Sequence, residues 1–333
     1  MRKATVLGDG GWGTALALTL LANGHDVTLW GPFPENLEEI RKNKENKFLK
    51  GVRIPDSLKL ESVPEKAVEG VELVVLASPS QFMRGTLERF SGCLDPSKYP
   101  VADVAKGIEN DSLKRMSEVF EEFFGKSEQY TVLSGPSHAE EVARGIPTAV
   151  VAASANEKAA KTVQEFFMSP TFRVYTTDDI TGVELGGALK NVLAIAAGIC
   201  DGMNMGDNTK AALMTRGIAE MARLGFTLGG KKETFAGLSG VGDLIVTCMS
   251  RHSRNRFVGE ELGKGKTMDE IRQMMGMSVA EGVKTAISAK QLAEKSGIET
   301  PLIDAVYHVI YDGLSPKTAV YDLMTRSPKT EKL

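Results

Sequence analysis

Short apolar runs and helix-like stretches alternate along the first half of the chain. The run at residues 3–7 is followed by a helix-like stretch from Thr14 to Ala22 and a second strand-like run from Asp26 to Trp30. Further buried-strand runs stand at Val71 to Ala77, Val101 to Ala105 and Thr131 to Leu133, with helix-like stretches near residues 35–44, 80–90 and 112–124. Strands that alternate with helices predict an α/β domain built on a parallel, doubly wound sheet. After about Thr177 the period changes. Apolar residues recur at helical spacing from Val183 to Cys200, Ala211 to Leu224, Met268 to Met275, Val279 to Ala293 and Leu302 to Ile310. The expected organisation is therefore an α/β domain over residues 1–180 and an all-helical domain over 181–333, joined without a long linker.

Composition narrows the class. A chain of 333 residues exceeds the usual single-domain size, and 42% hydrophobic with 25% charged residues is the balance of a folded globular protein. No apolar run is read as approaching the 18 or so residues of a membrane span, so no membrane partner is expected. The 40 Lys and Arg against 43 Asp and Glu give a net charge of -3, which argues against a polyanion-binding surface and a nucleic-acid partner. Cys93, Cys200 and Cys248 are odd in number and lack CxxC spacing, so neither a disulfide framework nor a metal site is expected. The first residues turn glycine-rich at once, with no leader-like apolar segment, and a cytoplasmic location is the expectation.

Gly8 Asp9 Gly10 Gly11 Trp12 Gly13 matches GxGxxG between the first strand and the helix that follows. In that context Gly8 permits the tight turn, Gly10 lets backbone approach a pyrophosphate, and Gly13 allows close helix packing. The helix N-terminus adds free N–H groups and partial positive charge. A dinucleotide, NAD or NADP, on a Rossmann-type sheet is what this predicts; a glycine-rich turn without ligand is the plainer alternative. The end of the second strand normally carries a carboxylate for the ribose of NAD. Trp30 Gly31 Pro32 Phe33 Pro34 supplies none before Glu35, and no arginine for a 2′-phosphate, so this segment leaves NAD against NADP open.

Lys106 ends the run Val101 to Ala105, at the carboxyl end of a strand where open α/β sheets bind ligands. A catalytic or phosphate-facing lysine and a surface-loop lysine both fit that place. Ser134 Gly135 Pro136 Ser137 His138 Ala139 also follows a strand, and His138 is either a general acid or a solvated helix start. Steps of three and four from Lys190 reach Gly187, Ala194 and Ala197, a face of small residues that another element can approach. A desolvated ammonium there has its pKa drawn toward the working pH and serves as proton donor or acceptor; the alternative is a lysine that snorkels to solvent. Arg251, Arg254 and Arg256 crowd a predicted helix start, where the macrodipole disfavours cations. With Ser253 as N-cap, Arg254 and Asn255 are placed to grip a phosphate; a solvated basic turn paired with Glu260 and Glu261 is the alternative. Asp243, after Ser239 Gly240 Val241 Gly242, fits either an N-cap or a group that orients a substrate hydroxyl or Lys190.

Over nearly its whole length the chain resembles the NAD(P)-dependent glycerol-3-phosphate dehydrogenases of bacteria. The likeness is carried by Gly187 to Ala194, with Gly198, Asp201, Gly202, Gly206 and Asn208, and by the blocks Ser134 to Ser137, Gly240 to Leu244 and Ser253 to Asn255 in the same order. The resemblance implies reversible reduction of dihydroxyacetone phosphate to sn-glycerol 3-phosphate, the backbone donor for glycerophospholipids. It also implies that Lys190 exchanges the proton at the carbonyl, and that Lys106, Gly135, Ser137, Asp243, Ser253, Arg254 and Asn255 surround the substrate. Cofactor contacts implied in the same way are Gly11, Trp12, Lys106, Ala139, Arg254, Val279 and Glu281, with Phe33 and Phe48 on the adenine side. The chain departs from the family at Pro32, where Arg or His is usual.

Two alternatives remain beside this reading. A β-hydroxyacid dehydrogenase of the 6-phosphogluconate type is expected to carry Asn four residues after its lysine, whereas here Asn191 is adjacent and Ala194 holds that place. A non-catalytic NADH-sensing protein has no need of Lys190, Asp243 and Arg254 together. The methionine-rich Met274 Met275 Gly276 Met277 suits a buried partner surface, and a homodimer is the expectation.

Overall fold

The apolar runs that open the chain become the middle of an eight-stranded sheet. The structure is a computed structural model that describes residues 1–276, 279–328 and 330–331. The strands and helices of its first part run in the order β1 (Lys3–Leu7), α1 (Gly11–Ala22), β2 (Asp26–Trp30), α2 (Pro34–Asn43), β3 (Glu45–Asn46), β4 (Leu49–Arg53), β5 (Lys59–Glu61), α3 (Pro64–Ala67), β6 (Leu73–Leu76), α4 (Met83–Phe90), β7 (Val101–Asp103), α5 (Met116–Phe124), β8 (Tyr130–Ser134), α6 (Ala139–Val142), β9 (Thr148–Ala153), α7 (Glu157–Phe167) and β10 (Phe172–Thr177). The sheet order is β10-β9-β8-β7-β6-β1-β2-β5. Both faces of its central strands are covered, so β1, β2 and β6 read as near-continuous apolar runs rather than alternating ones. β1 lies between β2 and β6, with Leu7 opposite Trp30 on one side and Leu76 on the other. The chain leaves β1 in one direction and returns in the other, which opens a crevice at the carboxyl ends of β1 and β6.

The expected all-parallel sheet is corrected in one place: β8 and β9 pair antiparallel, with Val132 opposite Ala153. The link between them contains only the four-residue helix α6, too little to carry the chain back along the sheet for a parallel return. The antiparallel hairpin β3–β4 was also not legible as strands, because its two short segments show no apolar alternation.

The second part continues as α8 (Ile180–Gly202), α9 (Gly206–Thr227), α10 (Lys232–Phe235), α11 (Asp243–Met249), α12 (Arg254–Gly263), α13 (Met268–Met275), α14 (Glu281–Ser296), α15 (Pro301–Tyr311) and α16 (Pro316–Met324). A π-turn over Leu238–Gly242 precedes α11. α8 corrects the reading that no segment is long and apolar enough for a membrane span: by length and composition it is, and its most apolar stretch lies wholly inside the structure. Every residue from Gly182 to Cys200 is buried, because a helix that is apolar all round is stable in water only as a core element. Contacts divide the chain into Met1–Lys106 with Lys114–Ile180, and Gly107–Leu113 with the residues from Thr181 onward. Each unit has its own core, one between the sheet and its helices and one around α8. Gly107–Leu113 interrupts the first unit to join the second, where Ile108 is 1% exposed and the Ser288 hydroxyl donates to its carbonyl.

Candidate active site

Within the first unit the glycine loop is built at the crevice between β1 and β6. Gly8 has φ +129°, and a Cβ there would lie 2.8 Å from the backbone carbon of Ala77, so both the turn and the approach to β6 require glycine. A Cβ on Gly13 would collide with the Gly8 carbonyl oxygen, and one on Gly11 with that of Phe48. Asn46 pins the β3–β4 hairpin here by donating to the Asp9 carbonyl and to Thr14 Oγ1, each at 2.8 Å. Gly10 differs from its neighbours, for a Cβ on it would project into open space at the N-terminus of α1. That room, kept by the lack of a side chain beside unpaired helix N–H groups, fits a dinucleotide pyrophosphate. Trp12 Nε1 is buried with no hydrogen-bond partner among the described residues, a second donor consistent with a bound group. Phe48 and Phe33 are 36% and 58% exposed, and such apolar faces suit an adenine.

Lys106, Gly135 and Ser137 are gathered in the same unit. Lys106 Nζ donates to the Gly135 carbonyl at 2.9 Å and contacts Ser137 Oγ at 3.3 Å, while Ser137 Oγ donates to the same carbonyl at 2.8 Å. Gly135 takes φ +143° and its Cα faces Val150, where a Cβ would come within 2.9 Å of backbone. His138 and Ala139 open the short helix α6. Lys106 is thus an anchored, half-buried group at a strand end rather than a loose surface lysine.

In the second unit Lys190 is 6% exposed in the middle of α8, so it does not snorkel. Its Nζ lies 3.0 Å from Asp243 Oδ1 and donates to Thr247 Oγ1 at 2.8 Å. Asp243 is the first residue of α11, with Gly242 in the cap position, and its carboxylate is turned to the lysine. Thr247 lies one turn further along α11 and its hydroxyl donates to the Asp243 carbonyl at 2.6 Å. Sequence reasoning missed Thr247; its four-residue spacing from Asp243 puts both on one helix face and was the available signal. Small residues make this depth reachable: a Cβ on Gly186 would come within 2.5 Å of the Ser239 carbonyl oxygen.

Ser253 caps α12, its Oγ accepting from the Arg256 backbone N–H at 3.1 Å. Arg254, at the first position of that helix, is exposed and forms no ion pair among the described residues. The three arginines of the turn are not equivalent. Arg256 pairs with Asp201 at 2.6 Å and Glu260 at 3.2 Å, while Glu261 pairs instead with Lys264 and Lys266. The Asn255 side chain, expected to grip a phosphate, has two partners within the protein. Its amide is buried, with Nδ2 donating to Asn191 Oδ1 at 2.8 Å and Oδ1 accepting from the Gly282 N–H at 2.9 Å. Asn255 therefore ties α12 to α8 and α14, and can offer an anion its second Nδ2 hydrogen and its backbone N–H in the first helical turn. Val279 is 38% exposed and Glu281 begins α14; Met277, the last residue of the methionine-rich stretch noted above, lies outside the described residues. The thiols of Cys200 and Cys248 are pushed up by burial to about 11 and about 12, which leaves them poor nucleophiles.

A doubly wound sheet with a glycine cradle at its switch point, followed by a helical unit with a buried lysine–aspartate pair, has the build of a dinucleotide-dependent dehydrogenase. Residues 3–160 match the family described as NAD-dependent glycerol-3-phosphate dehydrogenase N-terminus, and residues 179–321 its C-terminus. The glycerol-3-phosphate dehydrogenase [NAD(P)+] of Pelotomaculum thermopropionicum is 50% identical over 99% of this chain and 95% of its own; that of Geobacillus thermodenitrificans is 50% identical over 99% and 97%. The crystal structure of glycerol-3-phosphate dehydrogenase from Coxiella burnetii superimposes with a TM-score of 0.93 at 39% identity, covering 98% of this chain and 99% of that one. The chain belongs to the NAD-dependent glycerol-3-phosphate dehydrogenase family.

Proposed function

We propose that the chain catalyses the reversible, NAD(P)-dependent interconversion of dihydroxyacetone phosphate and sn-glycerol 3-phosphate, and thereby feeds glycerophospholipid synthesis. The observation that carries the site assignment is the buried Lys190–Asp243 pair at 3.0 Å with Thr247 beside it. Gly8, Gly10, Gly11, Trp12 and Gly13 would hold the dinucleotide phosphates, with Phe33 and Phe48 at its adenine end. When bound, its nicotinamide gives or takes the hydride. As the substrate carbonyl is reduced, negative charge grows on its oxygen. Lys190 Nζ supplies positive charge and a proton to that oxygen, and in the reverse direction takes the proton back. Asp243 and Thr247 hold the ammonium in one orientation, so little reorganisation accompanies proton transfer. Arg254 and the first N–H groups of α12 bind the substrate phosphate, an inert handle whose attachment orients the carbonyl. The family resemblance assigns Lys106, Gly135 and Ser137 to the substrate as well, and Ala139, Val279 and Glu281 to the cofactor.

A homodimer and a cytoplasmic location belong to the same reading, supported by half-exposed Met274 at the end of α13 and by three free thiols. The test of the function is oxidation of NADH and NADPH by the purified chain with dihydroxyacetone phosphate, and with unphosphorylated dihydroxyacetone as control. Turnover that depends on the phosphate is expected. Binding of a dinucleotide without turnover of either ketone would sink the assignment in favour of a sensing role.

A further inference from the structure

The carboxylate missing from the end of β2 comes from elsewhere in the chain. Asp9, the first variable residue of the glycine loop, folds its side chain across the end of that strand. A Cβ on Gly31, the residue after β2, would lie 2.5 Å from Asp9 Oδ2 and 2.6 Å from its Cγ, so glycine at 31 leaves the room that the carboxyl occupies. Asp9 is 8% exposed, and Asn36 is the one side chain among the described residues that bonds it, Nδ2 donating to Oδ2 at 2.5 Å. Among the described residues no cation contacts it directly. Lys47, whose field favours its ionised form, is held by Glu39 at 3.3 Å, and Glu35 opposes that field. Its own backbone N–H is the other donor; a carboxylate has about four lone-pair directions, and a buried one with two neutral donors and no counter-charge is still short of partners. Burial accordingly raises the pKa of Asp9 above the ordinary carboxylate value.

The end of β2 beside the glycine loop is where doubly wound sheets set the adenosine ribose. We propose that Asp9 reads the 2′ position of that ribose: its carboxylate accepts hydrogen bonds from the ribose hydroxyls of NAD and repels the 2′-phosphate of NADP. The absence of any basic residue from Trp30 to Pro34 removes the opposing attraction, so the chain prefers NAD. The inference rests on the dinucleotide reading of the glycine loop given above.

The test is calorimetric titration of the full-length chain with NADH and with NADPH at pH 8, repeated with Asp9→Asn and Asp9→Ala. The parent is expected to bind NADH at least about tenfold more tightly than NADPH, as a like-charge contact demands. In both variants that ratio falls toward one, mainly through tighter NADPH binding, while NADH binding persists. Equal affinities in the parent, or an unchanged ratio in variants that still bind NADH, overturn the role of Asp9. Should the variants not fold, the parent alone decides, since adenosine 2′,5′-bisphosphate must bind about tenfold more weakly than adenosine 5′-monophosphate. A parent that binds neither dinucleotide overturns the cofactor reading itself, a result separable from failed discrimination.

Discussion

Single residues carry the chemistry through the partners that burial imposes on them. Lys190 is charged, central in an apolar helix and paired with Asp243, so its removal leaves a buried carboxylate without its counter-charge as well as removing the proton donor. Lys190→Ala is expected to lose more than about 99% of turnover while NADH binding, measured by titration, stays within a fewfold of the parent. A residual rate above about a tenth would point to another acid, with His138 next in line. Arg254 stands at the first position of α12, exposed and without an ion pair among the described residues, which suits a ligand rather than the fold. Arg254→Ala is therefore expected to raise KM for dihydroxyacetone phosphate by about tenfold or more with a smaller change in kcat. A variant whose melting temperature drops while KM is unchanged would return the arginine to a structural role.

At the scale of elements, glycines set how closely α8 and α12 approach. Gly198 and Gly202 on α8 face Gly259 and Gly263 on α12, and a Cβ on Gly259 would collide with the Ile195 carbonyl oxygen. Backbone cannot swing aside as a long side chain can, so Gly259→Ala should cost about 1–3 kcal/mol in urea unfolding and displace the Arg254 turn. An unchanged midpoint would mean that the helices have slack. A second device joins α9 to α15. Glu220 is 4% exposed and accepts the N–H groups of Leu302 at 2.9 Å and Ile303 at 3.4 Å, serving as a borrowed cap for α15. Burial raises its pKa from 4.5 to about 7. The folded state thus holds a proton that the unfolded state releases, and this contribution to stability is full below about pH 4.5 and lost as pH rises through 7. Glu220→Gln should flatten that part of the stability curve between pH 5 and 8, a difference on the order of 2 kcal/mol by denaturant titration. A parent curve with no fall over that range would contradict the account.

At the scale of the molecule, the division of the chain is not a single cut. Gly107–Leu113 leaves the sheet unit and completes the helical core, so a fragment of residues 181–333 would lack Ile108 and the partner of Ser288. That fragment is expected to melt well below the full chain when followed by circular dichroism; equal melting temperatures would show the inserted segment to be dispensable. The glycine cradle, the strands β1, β2, β6, β7 and β8 with the helices α1, α2, α4 and α5, and the buried setting of Lys190 were legible in the sequence, because each is encoded locally by period, turn chemistry and spacing. Strands β9 and β10, the reversed pairing at β8, the partners of the Asn255 amide and the place of Thr247 were not, since each depends on what packs against it. The sequence by itself determined that a dinucleotide fold stands before a helical one, and which residues are charged within apolar surroundings. Only the tertiary structure decided that Lys190 meets Asp243, that Asp9 lies over Gly31 and that Gly107–Leu113 belongs with the helices. The reason is physical: periodicity along a chain tells which side chains leave water, while partners distant in sequence are chosen by close packing and by the need to pair every buried polar group.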